Sequence, residues 1–192
     1  MFHLYEDIPS SIEVDGDVWH LDLSFDRVLR AVNLLEDPEM TDSDRLEVFL
    51  NLLISGKEIP AEEDWEAAAT AIIDLIQPDA KASSAPQTDL LGNPMEFKPK
   101  SSEGEDYRFG PDDKYIYAAF WQTYRIDLMK ERGHLHWLAF TALLQALPED
   151  TMFQRICQIR STDIREIKDS DERKRMKELQ EQFALPLKGG DG

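Results

Sequence analysis

One cysteine, Cys157, stands in the whole chain of 192 residues, so no internal disulfide can staple the fold, and stability has to come from a packed core. That points to an intracellular protein. No apolar run approaches the roughly 18 residues that a membrane-spanning helix needs. The opening MFHLYEDIPS has neither the basic nor the apolar region of a secretory leader, which makes the cytosol the expected compartment. Glycine-rich phosphate loops are missing too: neither G-x-x-x-x-G-K-[ST] nor G-x-G-x-x-G occurs.

Basic charge is scarce, and unevenly so. Residues 1–76 carry 19 Asp and Glu against 4 Lys and Arg, a net of −15, whereas residues 112–192 carry 14 against 13, a net of −1. Nucleic-acid affinity comes largely from Lys and Arg neutralising phosphates, so the first half is a poor nucleic-acid partner. Part of its acidity belongs to helix starts, where Asp and Glu complement the helix dipole.

What is present has the material of a folded protein: 42% apolar and 9% aromatic residues. Ile12 and Val14 alternate with polar residues, as do Val18 or Trp19 onward to Leu23. They flank Asp15-Gly16, a pair suited to a tight hairpin turn. A lone hairpin is marginal, so it must lie on helices. Three helical stripes follow. Phe25, Val28, Leu29, Val32 and Leu35 make the first, with Ser24 as N-cap and Asp37-Pro38 as the stop. Leu46, Phe49, Leu50 and Leu53 make the second, entered through Thr41-Asp42-Ser43-Asp44 and ended near Gly56; Trp65, Ala68, Ala69, Ile72, Ile73 and Ile76 make the third.

From Gln77 to Gly110 periodicity vanishes among Pro, Ser and Gly, which predicts a flexible linker between an acidic hairpin-plus-helices block at 1–76 and a helical block at 111–186, followed by a tail at 187–192. The fold class expected is mainly α. In the second block a helix runs through Tyr115–Tyr124. The next carries a stripe of Leu135, Leu138, Ala139, Ala142, Leu143, Ala146 and Leu147 and a second strip of Trp137, Phe140 and Leu144. Apolar on two faces, it reads as the buried centre of its block. Further helices begin at Pro148-Glu149-Asp150, with Phe153 and Ile156 inward, and near Ser170, with Met176, Leu179 and Phe183 beside the basic run Arg173, Lys174, Arg175 and Lys177.

Candidate chemistry is thin. His134 and His136 would point about 200° apart on a helix and could share a metal only on a strand, with no second pair to complete a site. Cys157 lies in an amphipathic core stretch and needs a base brought to it in space before it can act as a nucleophile. Carboxylate pairs such as Asp42 with Asp44 or Asp112 with Asp113 are too common to single out an acid or base. Asp15-Gly16-Asp17 lacks the spaced ligands of a calcium loop and reads as a turn. The basic run reads first as a solvated helix face, and second as a face meeting the acidic block within one chain or between copies, which would give self-association. No catalytic, cofactor or metal residue is therefore predicted. An enzyme acting through Cys157 or the His134/His136 pair is the outlying reading.

The second block resembles a bacteriophage family, "gene product fifteen", encoded in tail modules of siphoviruses and prophages. The resemblance is carried by YIYAAF at 115–120, Tyr124 with Ile126-Asp127-Leu128, LHW at 135–137, Phe140 with Ala142-Leu143-Leu144, and Leu147 through Thr151. It continues through Phe153, Ile159-Arg160, Asp163, Ile167-Lys168-Asp169 and Ala184-Leu185-Pro186, and more loosely through the hairpin and Ile59-Pro60 of the first block. Trp137-Leu138 stands where the family pattern has two adjacent tryptophans. The resemblance implies a non-enzymatic tail assembly protein, chaperone-like, that holds the tape measure protein in the host cytoplasm while tails form. The alternative is a structural or connector component retained in the virion. Trp65, Trp121 and Trp137 are the residues expected to contact a partner.

Overall fold

A computed structural model describes residues 7–35, 39–56, 58–77 and 106–186. Residues 78–105 of the linker predicted at 77–110, and the tail at 187–192, lie outside the described residues. Among the latter the chain is mainly α-helical, with one two-stranded sheet. It divides into two compact units: residues 1–96 with 131–142, and residues 97–130 with 143–192.

In the first unit β1 (Ser11–Val14) pairs antiparallel with β2 (Asp17–His20), Ile12 facing Trp19 and Val14 facing Asp17. Asp15 and Gly16 both take positive φ, 50° and 84°, which is why this pair rather than a bulkier one closes the turn. The hairpin is held to the second helix by a bridge of Leu21 with Ile54, flanked by hydrogen bonds from Asp22 N to Leu53 O and Ser55 N to His20 O. Three helices follow, α1 (Phe25–Leu35), α2 (Asp42–Leu53) and α3 (Trp65–Ile76), with α3 led in by a single 3-10 turn at Glu62–Asp64. Each turns predicted stripe residues inward, Phe25 and Val28, Phe49, Leu50 and Leu53, Ala68 and Ile72, and α1 also buries Ala31, outside its stripe. Ile73 is the stripe residue left out, 36% exposed.

Two helix starts part company. Thr41, the first residue of the expected entry Thr41-Asp42-Ser43-Asp44, caps α2, its Oγ1 accepting from Asp44 N at 3.2 Å. Ser24 stands at the start of α1, and its carbonyl accepts from Val28 N, yet its hydroxyl is buried with no hydrogen-bond partner among the described residues. Ser24 is paired instead in a β-bridge with His136.

That bridge brings a distant stretch into the first unit. Phe25 N donates to Leu135 O at 2.9 Å, Trp137 N to Leu23 O at 2.7 Å, and Gly133 N to Asp26 Oδ1 at 2.8 Å. The Trp137 indole N–H reaches Ile76 O, and Phe25 stacks on Phe140 with ring centroids 4.9 Å apart. Residues 131–142, inside the block expected over 111–186, fall with the acidic residues in the first compact unit. The helix expected from Leu135 to Leu147 is also shorter: α5 spans Trp137–Gln145, because Leu135 and His136 are extended in the bridge. Its inward strip is Phe140 and Leu144, while the rival stripe residues Ala142 and Ala146 are exposed.

The second unit is built on α4 (Asp113–Tyr124), α6 (Met152–Ser161) and α7 (Ser170–Gln182). Ile116, Ala119 and Phe120 pack inward from α4 and Phe153 and Ile156 from α6, while α7 buries no residue completely. Residues 106–110, assigned to the linker by their composition, are part of this unit: the Tyr107 ring meets Phe109 and Phe153, and Arg108 N donates to Asp112 Oδ2. Arg160 is the hub. It makes a bidentate pair with Asp112 at 2.6 and 2.9 Å and donates also to the carbonyls of Asp106 and Phe183. Asp112 is 1% exposed, so the pair is shielded from water. A guanidinium has the fork of donors that such a junction needs.

Candidate functional site: an aromatic surface on the second unit

Tryptophans expected to contact a partner have different surroundings. Trp65 is half-buried, its Nε1–H held by Pro60 O at 2.9 Å. Trp137 packs on the core of the first unit, stacks on Phe140 and donates to Ile76 O. Both indoles have their polar atom satisfied inside the unit they stabilise. Trp121 differs, being 47% exposed on α4.

Trp121 has company. Tyr117 lies four residues earlier on the same helix face and is 37% exposed, with the exposed Ala118 beside it. After α4 the chain reverses at Arg125, in the left-handed region at φ 59°, and passes through Asp127 to Met129, which is 58% exposed. The Tyr117 hydroxyl donates to Asp127 Oδ1 at 3.3 Å, and Met129 N donates to the same oxygen at 3.2 Å. One carboxylate oxygen thus fixes the tyrosine tip and the methionine backbone together, producing an outward surface of two aromatic rings and a thioether. Packing around the ring, then the Asp127 charge and its hydrogen bond, raise the Tyr117 phenol above its ordinary value of 10.0, so it stays a neutral donor. Lys130, on the rim, pairs with Asp127 at 3.6 Å.

Such a surface can bind but offers no evident chemistry. Rigid aromatic rings and an adaptable thioether supply large contact area at low entropic cost, the composition found at the centres of interfaces. Burying the exposed part of Trp121, on the order of 100 Å², would contribute about 3 kcal/mol.

The residues weighed for chemistry do not converge. His134 is exposed, its Nδ1 2.8 Å from Arg132 O, whereas His136 is half-buried in the bridge with Nδ1 accepting from Leu138 N. Cys157 is half-buried on α6, close enough to Tyr107 that its charge adds to the effect of burial in raising the Tyr107 phenol. No group of three or more His, Cys, Asp or Glu able to hold a metal occurs among the described residues. Arg173, in the basic run, donates to Ile167 O from two nitrogens, and Lys174, Arg175 and Lys177 are exposed on α7. Four residues away from these stand Glu178, Asp171 and Glu181, so the run forms a mixed-charge helix face rather than a basic one.

Among these residues only Trp121 was singled out from sequence. Tyr117 and Met129 were missed; the one signal available was that Tyr115 and Tyr117 alternate about the buried Ile116, so that both could not face inward.

No curated protein and no solved structure matches the chain. A family does, over residues 4–185, a span that takes in the hairpin, both units and nearly every described residue. The chain belongs to the family described as Bacteriophage Gp15 protein, and it is a bacteriophage protein.

Proposed function

We propose that the chain is a non-enzymatic tail assembly protein, chaperone-like, which binds the phage tape measure protein in the host cytoplasm through the Tyr117–Trp121–Met129 surface. The observation that carries this reading is that surface itself: three large side chains, 37%, 47% and 58% exposed, with Asp127 tying the Tyr117 tip to the Met129 backbone and Trp121 one turn along the helix from Tyr117, in a protein of a phage family. An extended client rich in apolar helix would find there a preformed aromatic anchor, with entropy already spent on ordering it. The excess of acid in residues 1–76 would keep a complex with such a client in solution.

Co-expression with the tape measure protein of the same phage tests it. The wild-type chain should co-purify with the client, and Trp121→Ala combined with Tyr117→Ala should reduce recovery at least tenfold while leaving the far-ultraviolet circular dichroism unchanged. Equal recovery with both variants would remove the surface from the proposal. Normal tails after deletion of the gene would remove the assembly role. Finding the chain in purified virions by mass spectrometry would favour a retained structural or connector component instead.

A further inference from the structure

The bridge between Leu23–Phe25 and Leu135–Trp137 contains a histidine whose protonation state the local geometry specifies. Hydrogen bonds Phe25 N to Leu135 O and Trp137 N to Leu23 O flank the pair Ser24 and His136 without joining it. In an antiparallel bridge this is the close, non-hydrogen-bonded arrangement, with both side chains on one side. Both are enclosed: Ser24 is 5% exposed, and neither its Oγ nor His136 Nε2 has a hydrogen-bond partner among the described residues. The other ring nitrogen is engaged. Nδ1 accepts from Leu138 N at 3.1 Å, so His136 caps the first turn of α5.

We propose that His136 is a pH-sensitive latch: the neutral ring caps α5 and keeps residues 131–142 seated on the first unit, and protonation of the ring opens this joint. A ring that accepts at Nδ1 must be neutral with its proton on Nε2. Adding a proton at Nδ1 sets two donors against each other at Leu138 and places a positive charge at the helix end where negative charge is favoured. It also charges a ring that is half out of water.

The surrounding groups do not reverse this. Asp22 favours the charged ring, but its carboxylate is already engaged by Arg27 Nε at 3.0 Å and by Ser24 N. The Pro9 carbonyl, before β1, falls short of a hydrogen bond to the ring but acts in the same direction. On α1, Asp26 is occupied by Gly133 N, and α5 itself carries no ionisable residue. On the histidine's own segment Glu131 and Arg132 are of opposite sign, and His134 is exposed. Burial outweighs Asp22 and Pro9 and holds His136 below its ordinary value of 6.5. With the folded value depressed, the unfolded chain binds the proton first. The latch is therefore fully engaged above about pH 6.5 and is lost as pH falls through that value toward the folded one.

The full-length chain provides the test by nuclear magnetic resonance between pH 7.5 and 5. The Leu138 amide should titrate with the same midpoint as the His136 ring. Opening constants from hydrogen exchange, corrected for the intrinsic pH dependence, should rise about fivefold at Phe25 and Trp137 while those on α6 stay constant. His136→Asn keeps an acceptor at the cap and cannot titrate, so its opening constants should be independent of pH. A Leu138 amide indifferent to ring titration in the wild type would overturn the latch. An unchanged pH response in His136→Asn would overturn it equally. Should the variant fail to fold, the wild-type titration decides alone.

Discussion

At the scale of single residues, the most consequential interaction in the second unit joins Asp112 to Arg160. Side-chain exposures of 2% and 11% mean that neither charge can turn to water if the other is removed. Asp112→Ala should then destabilise the unit by about 3–5 kcal/mol, since Arg160 keeps only the Asp106 and Phe183 carbonyls. Replacing both by apolar residues of similar volume should cost less than the single change, because a dry pair is weakly stabilising in net terms and its broken half is the expensive state. Urea denaturation of the two variants checks the order; a double variant less stable than Asp112→Ala would contradict it. The sequence showed Asp112 only as one of two adjacent carboxylates and Arg160 only among the residues that carry the family resemblance. Forty-eight residues separate them, and nothing in local periodicity encodes a pairing across that distance.

At the scale of elements the chain was far more readable. Hairpin, stripes and Thr41 cap follow from local rules, alternation about Asp15-Gly16, spacing of three and four, and an oxygen-bearing side chain before a helix. Those rules failed where a long-range contact overrode them, at Ser24 and at Leu135–His136, which a bridge holds extended. Helix starts also allow a graded prediction. Thr41 is exposed, and its hydroxyl accepts from Asp44 N and donates to Asp44 Oδ2. Thr151 is 1% exposed, accepts from Gln154 N and donates to Pro148 O at 2.8 Å, tying α6 to the turn before it. Thr41→Ala should cost about 1 kcal/mol and Thr151→Ala about 2 kcal/mol, because the Thr151 side chain is buried and its loss leaves a void beside the freed Gln154 amide, while the Pro148 carbonyl keeps the Thr151 N–H. Thermal melts of the two single variants measure the difference, and equal shifts would show that burial does not matter at these caps.

At the scale of the whole molecule, composition marks a break after residue 76, yet the first unit is discontinuous and takes residues 131–142 from beyond it. Composition registers solvation and periodicity registers local faces; neither registers which core a helix completes. A fragment of residues 1–110 therefore contains the acidic half and every stripe predicted for the first block but lacks Trp137 and Phe140, leaving Phe25 without its stacking partner and Ile76 O without its donor. In the full chain Trp137→Ala should already destabilise the first unit by about 3 kcal/mol, whereas Trp121→Ala, on an exposed face, should stay within about 0.5 kcal/mol. The fragment loses more than Trp137→Ala does, since the bridge to Leu23–Phe25 goes as well. It should bind a hydrophobic dye and melt without a cooperative transition, while a longer fragment ending at residue 147 should recover one. Cooperative unfolding of 1–110 alone would show that the acidic half is complete without the inserted segment, and that Trp137 and Phe140 decorate a core they do not build.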